Sequence, residues 1–181
     1  MPAVAITDTG NLFGALEFAT ACAAGGVQPI IGCELALSGR GEAVRASGFA
    51  GRTAEPNRIA LLVQSELGYR NLLAMVSRSY LAGDGAADPA VSIDDLAMAG
   101  EGLLCLTGGP KGPVGRRLAE GQADAAEAAL LNLAAAFPGR LYVELMRHGG
   151  PEERRSEPDI VELAYRHGLP LVATNLSLIH I

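Results

Sequence analysis

"DAAEAALLNLAAAFPGRLYVELMRHGG" (residues 124–150) contains a helix, a turn and a strand in one run. The Ala/Leu-rich part has neither Gly nor Pro and reads as a helix through Phe137, where Pro138-Gly139 stops it. "RLYVEL" (140–145) is short, apolar and bounded by polar residues and Gly. A strand buried on both faces has that composition. It hands over to Arg147, His148 and two glycines, a loop able to carry polar chemistry.

The same helix-then-strand rhythm recurs outward in both directions. Strands are predicted at 2–7 ("PAVAIT"), 27–32 ("VQPIIG"), 58–64 ("RIALLVQ"), 102–107 ("GLLCLT") and 169–174 ("LPLVAT"). Between them, "NLFGALEFATACAAGG" puts Leu12, Leu16, Ala19 and Ala23 on one helical face and ends at a Gly25-Gly26 cap. "SELGYRNLLAMVSRSYL" begins at Ser65 as N-cap and carries Leu72, Leu73, Val76 and Tyr80. "SIDDLAMAG" offers a capping box of Ser92 with Asp95. A helix is predicted at 114–120, and "PDIVELAYRHG" (158–168) supplies the last, closing at Gly168. The Gly-, Ala-, Pro- and charge-rich stretches 38–57 and 82–90 read as surface loops. The alternation predicts α/β architecture with parallel strands and right-handed crossovers, in an open doubly wound sheet or a barrel. In both, chemistry gathers at the C-terminal ends of the strands.

Composition bounds what that chemistry serves. The 181 residues carry a formal net charge of −6, which writes no general affinity for nucleic acid into the chain. Three widely spaced cysteines without a CxxC pair suit reduced thiols in the cytoplasm. No apolar run reaches the ~20 residues that a membrane-spanning helix needs.

Each strand end offers candidates with a plainer alternative beside them. Asp8 follows the first strand, and Cys33 and Glu34 follow the second. Asp8 and Glu34 suit metal ligation, and equally the opening of a turn or helix. Cys33 is a ligand or a small buried hydrophobe. Gln64, Ser65 and Glu66 follow the third strand. "GGPKGPVG" (108–115) resembles a phosphate loop but lacks the GxxxxGK[ST] spacing, and its prolines remove amide donors, so it reads as a turn. His148 is a ligand or a solvated loop residue; His167 sits in a last helical turn, where a cation suits the dipole.

The segments "AITDTGNLFGALEF", "QPIIGCEL", "GYRNLLAMVSRSYL", "EGLLCLTGG", "LYVELMRHG" and "GLPLVATN" resemble, in order, the PHP (polymerase and histidinol phosphatase) domain found at the N-terminus of bacterial DNA polymerase III alpha subunits. The resemblance covers residues 1–175. It implies a distorted β/α barrel, incomplete here at both ends because the family's first strand, with its His-x-His, would precede Met1. It further implies a divalent metal cluster with His, Asp, Glu and Cys ligands, and most of that set is replaced. Thr9 stands for a His, Arg58 and Ile59 occupy the region of another, Gly108-Gly109 replaces a Cys, and Leu176 and Leu178 stand where Asp-x-His is expected. Asp8 and Glu34 remain as vestigial ligands, too few for a Zn or Mn cluster.

By the same resemblance the parent activity is DNA-directed DNA polymerisation, with its Mg site outside this chain and no catalytic residue within it. The partners implied are the remaining polymerase domains, a proofreading exonuclease subunit, and DNA through the parent protein, with no membrane. A PHP phosphoesterase or 3′–5′ exonuclease is the alternative activity. "LSLIHI" (176–181) is also the translation of a transposon-end adaptor used in sequencing libraries, so these residues are expected not to be native, and His180 is no ligand candidate.

Overall fold

The computed structural model describes residues 1–38, 56–81 and 89–174. The expected loops at 38–57 and 82–90 fall mostly outside these residues, as do the adaptor-like tail and the Asp-x-His positions Leu176 and Leu178.

All six predicted strands are present: β1 (Ala3–Thr9), β2 (Gln28–Ser38), β3 (Asn57–Val63), β5 (Leu103–Leu106), β6 (Leu141–Leu145) and β7 (Leu171–Ala173). A seventh, β4 (Ala90–Ser92), pairs with the last residues of β2. It was not anticipated, because three residues beside a Pro carry no periodic signal. The sheet runs β1-β2-β3-β5-β6-β7 and curls into a half-barrel.

The expectation of parallel strands throughout needs correcting. β1 with β2, β5 with β6 and β6 with β7 are parallel, but β3 is antiparallel to both β2 and β5. An apolar run carries no mark of its direction, and an antiparallel ladder can bury it as a parallel one does.

The helices are α1 (Ala15–Ala24), α2 (Glu66–Leu81), α3 (Ile93–Ala99), α4 (Pro113–Ala119), α5 (Ala123–Ala136) and α6 (Pro151–Arg166). Ser65 caps α2, its Oγ accepting the Gly68 amide at 3.2 Å. The Ser92–Asp95 capping box of α3 is formed in both directions. α6 begins at Pro151 instead of Pro158. Pro151 takes the first helical position, and the Glu153 carboxylate accepts the Gly150 amide at 3.0 Å. Pro158 lies on the exposed side, where water can take the carbonyl that it leaves without a donor.

Two predicted helix faces are also corrected. In α1, Ala15 and Cys22 are buried while Leu16 is 81% exposed. In α2 the buried line is Gly68, Leu72, Met75 and Ser79, with Leu73 and Tyr80 turned largely outward. Both helices are apolar around more than one face, so periodicity alone selects no unique side.

One face of the sheet makes the core. Cys33 and Leu35 of β2, Ile59 and Leu61 of β3, and Leu103 and Cys105 of β5 are all fully buried there. Leu72, Leu96, Leu130, Leu133 and Phe137 close over them from the helices. Because side chains alternate along a strand, Glu34, Arg58 and Glu144 belong to the opposite face.

Candidate functional site

The strand register decides which candidates meet. Thr9 pairs with Glu34, Glu34 with Ala60, Ala60 with Leu106, Leu106 with Tyr142, and Glu144 with Val172. Paired residues share a face, and residues two apart along a strand do so too. Thr9, Glu34, Arg58, Tyr142, Glu144 and Thr174 therefore share the face away from the core, near one rim of the sheet. Asp8 pairs with Cys33 and belongs to the other face. The two acids expected as remnants of one metal site are thus set apart by the pleat.

Each acid has an occupation of its own. Asp8 Oδ2 accepts the Gly14 amide at 3.1 Å, holding the turn that leads into α1. Glu34 Oε1 lies 3.3 Å from Arg58 Nε. Arg58 reaches this rim because β3 is reversed: its first residues, not its last, lie beside the C-terminal ends of the parallel strands. The same reversal carries Gln64, Ser65 and Glu66 to the far end of the sheet. There Ser65 caps α2 and Glu66 pairs with Arg70.

Glu144 was not singled out from the sequence, and the structure makes it conspicuous. It is 4% exposed; its Oε1 accepts the Thr174 hydroxyl at 2.5 Å, and its backbone amide donates to Thr107 Oγ1 at 2.9 Å. Its Oε2 is buried without a hydrogen-bond partner among the described residues. Burial pushes the Glu144 carboxyl above the ordinary glutamate range, and the nearby Glu34 adds to the shift. The Thr174 hydroxyl and the Gly108 amide favour the charge and only partly offset burial. The signal was an acid inside the apolar run "LYVEL", legible only once the register shows it facing the rim.

The remaining candidates each have a structural setting of their own. Cys33 is fully buried, its Sγ 3.3 Å from the Asn11 carbonyl, and desolvation pushes its thiol up to about 11. It is therefore a neutral thiol near pH 7. His148 Nδ1 lies 3.0 Å from Glu153 Oε1, tying the loop after β6 to the start of α6. His167 Nε2 lies 2.6 Å from Glu127 Oε1, joining α6 to α5. "GGPKGPVG" folds as a 3-10 turn, Gly109–Lys111, leading into α4. Among the described residues, no three His, Cys, Asp or Glu side chains are grouped so as to hold a metal ion. Among them, too, no helix is long and apolar enough to cross a membrane.

A pH dependence follows from Glu144. A carboxyl whose folded-state pKa is raised keeps its proton better folded than unfolded. Its contribution to stability is therefore present at low pH and is lost as pH rises from 4.5, the ordinary glutamate value, through the folded-state value. Glu144→Gln removes this titration. Urea unfolding should find the variant gaining on the parent above pH 4.5, with the gap closing below it. An unchanged gap across that range would show that Glu144 does not titrate differently on folding.

Comparison with known proteins gives this fold a family. DNA polymerase III subunit alpha of Caulobacter vibrioides is 43% identical over 175 residues, covering 97% of this chain and 15% of that protein. The Escherichia coli K12 subunit is 37% identical over 175 residues, covering 97% of this chain and 14% of that one. The chain thus spans about one-seventh of the length of these curated relatives. Among solved structures, a protein from Bifidobacterium adolescentis named for metal-dependent phosphoesterase activity matches with a TM-score of 0.51 at 16% identity. The match covers 96% of this chain and 76% of that one, and at such identity it speaks to the fold alone. The model of the PHP domain matches residues 1–148, and with this sheet beneath it the chain belongs to the PHP domain family.

Proposed function

We propose that this segment is the PHP region of a cytoplasmic DNA polymerase III alpha subunit, and that it serves there as a structural domain. The observation that carries the proposal is the similarity to those subunits over 97% of the chain. On this reading the parent protein extends DNA with Mg-bound carboxylates outside the segment, and the segment steadies the polymerase body and docks a proofreading exonuclease. What supports a structural role over hydrolysis is the state of the rim. Metal-assisted phosphoester cleavage needs several ligands converging on each ion and a position left for water. Here Glu34 is engaged by Arg58, Asp8 lies on the other face, and Cys33 is fully buried on the core side of the sheet.

The test is to incubate the purified protein with 3′-labelled single-stranded DNA and with p-nitrophenyl phosphate, each with added Mn²⁺ or Zn²⁺. No hydrolysis above a no-enzyme control is expected. On a column carrying the proofreading exonuclease of the same source, the protein should be retained. Metal-dependent hydrolysis abolished by EDTA would replace this reading with a PHP phosphoesterase or 3′–5′ exonuclease.

A further inference from the structure

We propose that the Arg58 guanidinium is the resident cation of this rim, neutralising Glu34 where a PHP metal centre would place a divalent ion. The proposal rests on the reading of the segment as a structural PHP domain and says what holds its rim together. The geometry is specific. Glu34 and Arg58 are diagonal neighbours on adjacent antiparallel strands and share a face, so their side chains meet without distorting the backbone. Arg58 Nε stands 3.3 Å from Glu34 Oε1, with the two side chains only 25% and 34% exposed.

A guanidinium keeps its charge at every relevant pH. It therefore supplies a positive charge that no chelator removes. It also works against a second cation, since a metal on Glu34 would sit beside a fixed like charge. The other groups on this face do not reverse the balance. Glu144 is an acid with one oxygen, Oε2, left over, but its Oε1 is taken by Thr174 and the residue is 4% exposed, so it adds at most one donor. Thr9, directly across from Glu34, brings only a neutral hydroxyl to the position. Asp8 cannot join from the opposite face while its Oδ2 holds the Gly14 amide. Among the described residues, the donor set left for a metal at Glu34 is far short of the four or more ligands that zinc or manganese takes.

The experiment is a double-mutant cycle in the full chain with Arg58→Gln, Glu34→Gln and both together. Thermal unfolding is followed in EDTA, and again with added Zn²⁺ or Mn²⁺ as the probe. The parent protein should carry substoichiometric metal by mass spectrometry, and its midpoint should not move on chelation. Each single substitution should lower the midpoint by about 2–4 °C, and the double should fall no further than the worse single. Strictly additive losses would overturn the proposal. So would near-stoichiometric metal in the parent, or a parent destabilised by EDTA, and these two readings stand even if a variant fails to fold. Metal dependence without hydrolysis would sink the role of Arg58 and leave the structural-domain reading intact; hydrolysis would sink that reading itself.

Discussion

Gly108→Ala is expected to lower the melting temperature by about 10 °C or more, or to abolish folding outright. Gly108 lies at the end of β5 with φ +80°, a conformation that costs an L-residue about 1–2 kcal/mol. The larger cost is steric. A Cβ at Gly108 would stand 1.8 Å from the Arg58 carbonyl oxygen, a backbone atom held in the sheet. No rotamer change relieves that contact, so β3 or the turn must move, and overpacking of this kind adds about 1–3 kcal/mol or more. Gly139→Ala is the matched control. It has φ +68° but open space around its Cβ, so it carries the backbone strain without the collision. If circular dichroism melts of the two variants fall together, the close approach of β5's end to Arg58 is not what requires glycine. The same contact links this glycine to the rim: displacing the Arg58 backbone moves the guanidinium that meets Glu34.

Phe137→Ala should cost about 3–5 kcal/mol, the range for a fully buried aromatic truncated to a methyl. Set against the ~5–15 kcal/mol that ordinarily separates folded from unfolded chains, the variant would stand near its threshold. Phe137 is fully buried at the end of α5. A Cβ at Gly100, just after α3, would lie 2.9 Å from the ring, so the ring abuts that turn directly. Arg140 stacks over the ring with its guanidinium carbon 5.8 Å from the centroid. The aromatic thus packs together the end of α3, the end of α5 and the residue before β6. Urea denaturation should show a lower midpoint at unchanged slope, and Phe137→Leu should recover most of the loss. A loss below ~1 kcal/mol would mean that neighbouring side chains collapse into the space.

The elements were legible because each apolar run is short and bounded by Gly, Pro or charge. Strand direction was not. A run such as "RIALLV" is equally apolar whether its neighbours run with it or against it, and direction depends on what connects it to β2. Helix faces were blurred where Ala and Leu surround the axis, as at Leu16, whose exposure nothing in its spacing announces. The resemblance put Arg58 and Ile59 in the region of an expected His, but the consequence needed the register. Only with Ala36 paired to Arg58 does the guanidinium fall diagonal to Glu34. Glu144 shows the converse case. Its charge was visible within "LYVEL", yet a lone acid in a strand has no meaning until its neighbours across the sheet are known.

The reversed strand has one more consequence, for the way the molecule can come apart. β3 is the seam between two parallel blocks, β1-β2 on one side and β5-β6-β7 on the other. Peeling either outer edge leaves the opposite block whole, as fraying usually does. Releasing β3 parts the blocks and breaks both of its ladders together. The Glu34–Arg58 pair spans one margin of that seam, while the Gly108 contact with the Arg58 carbonyl closes the other. Mechanically, β3 is the keystone of the arch, and the polar rim is the mortar at its outer joint.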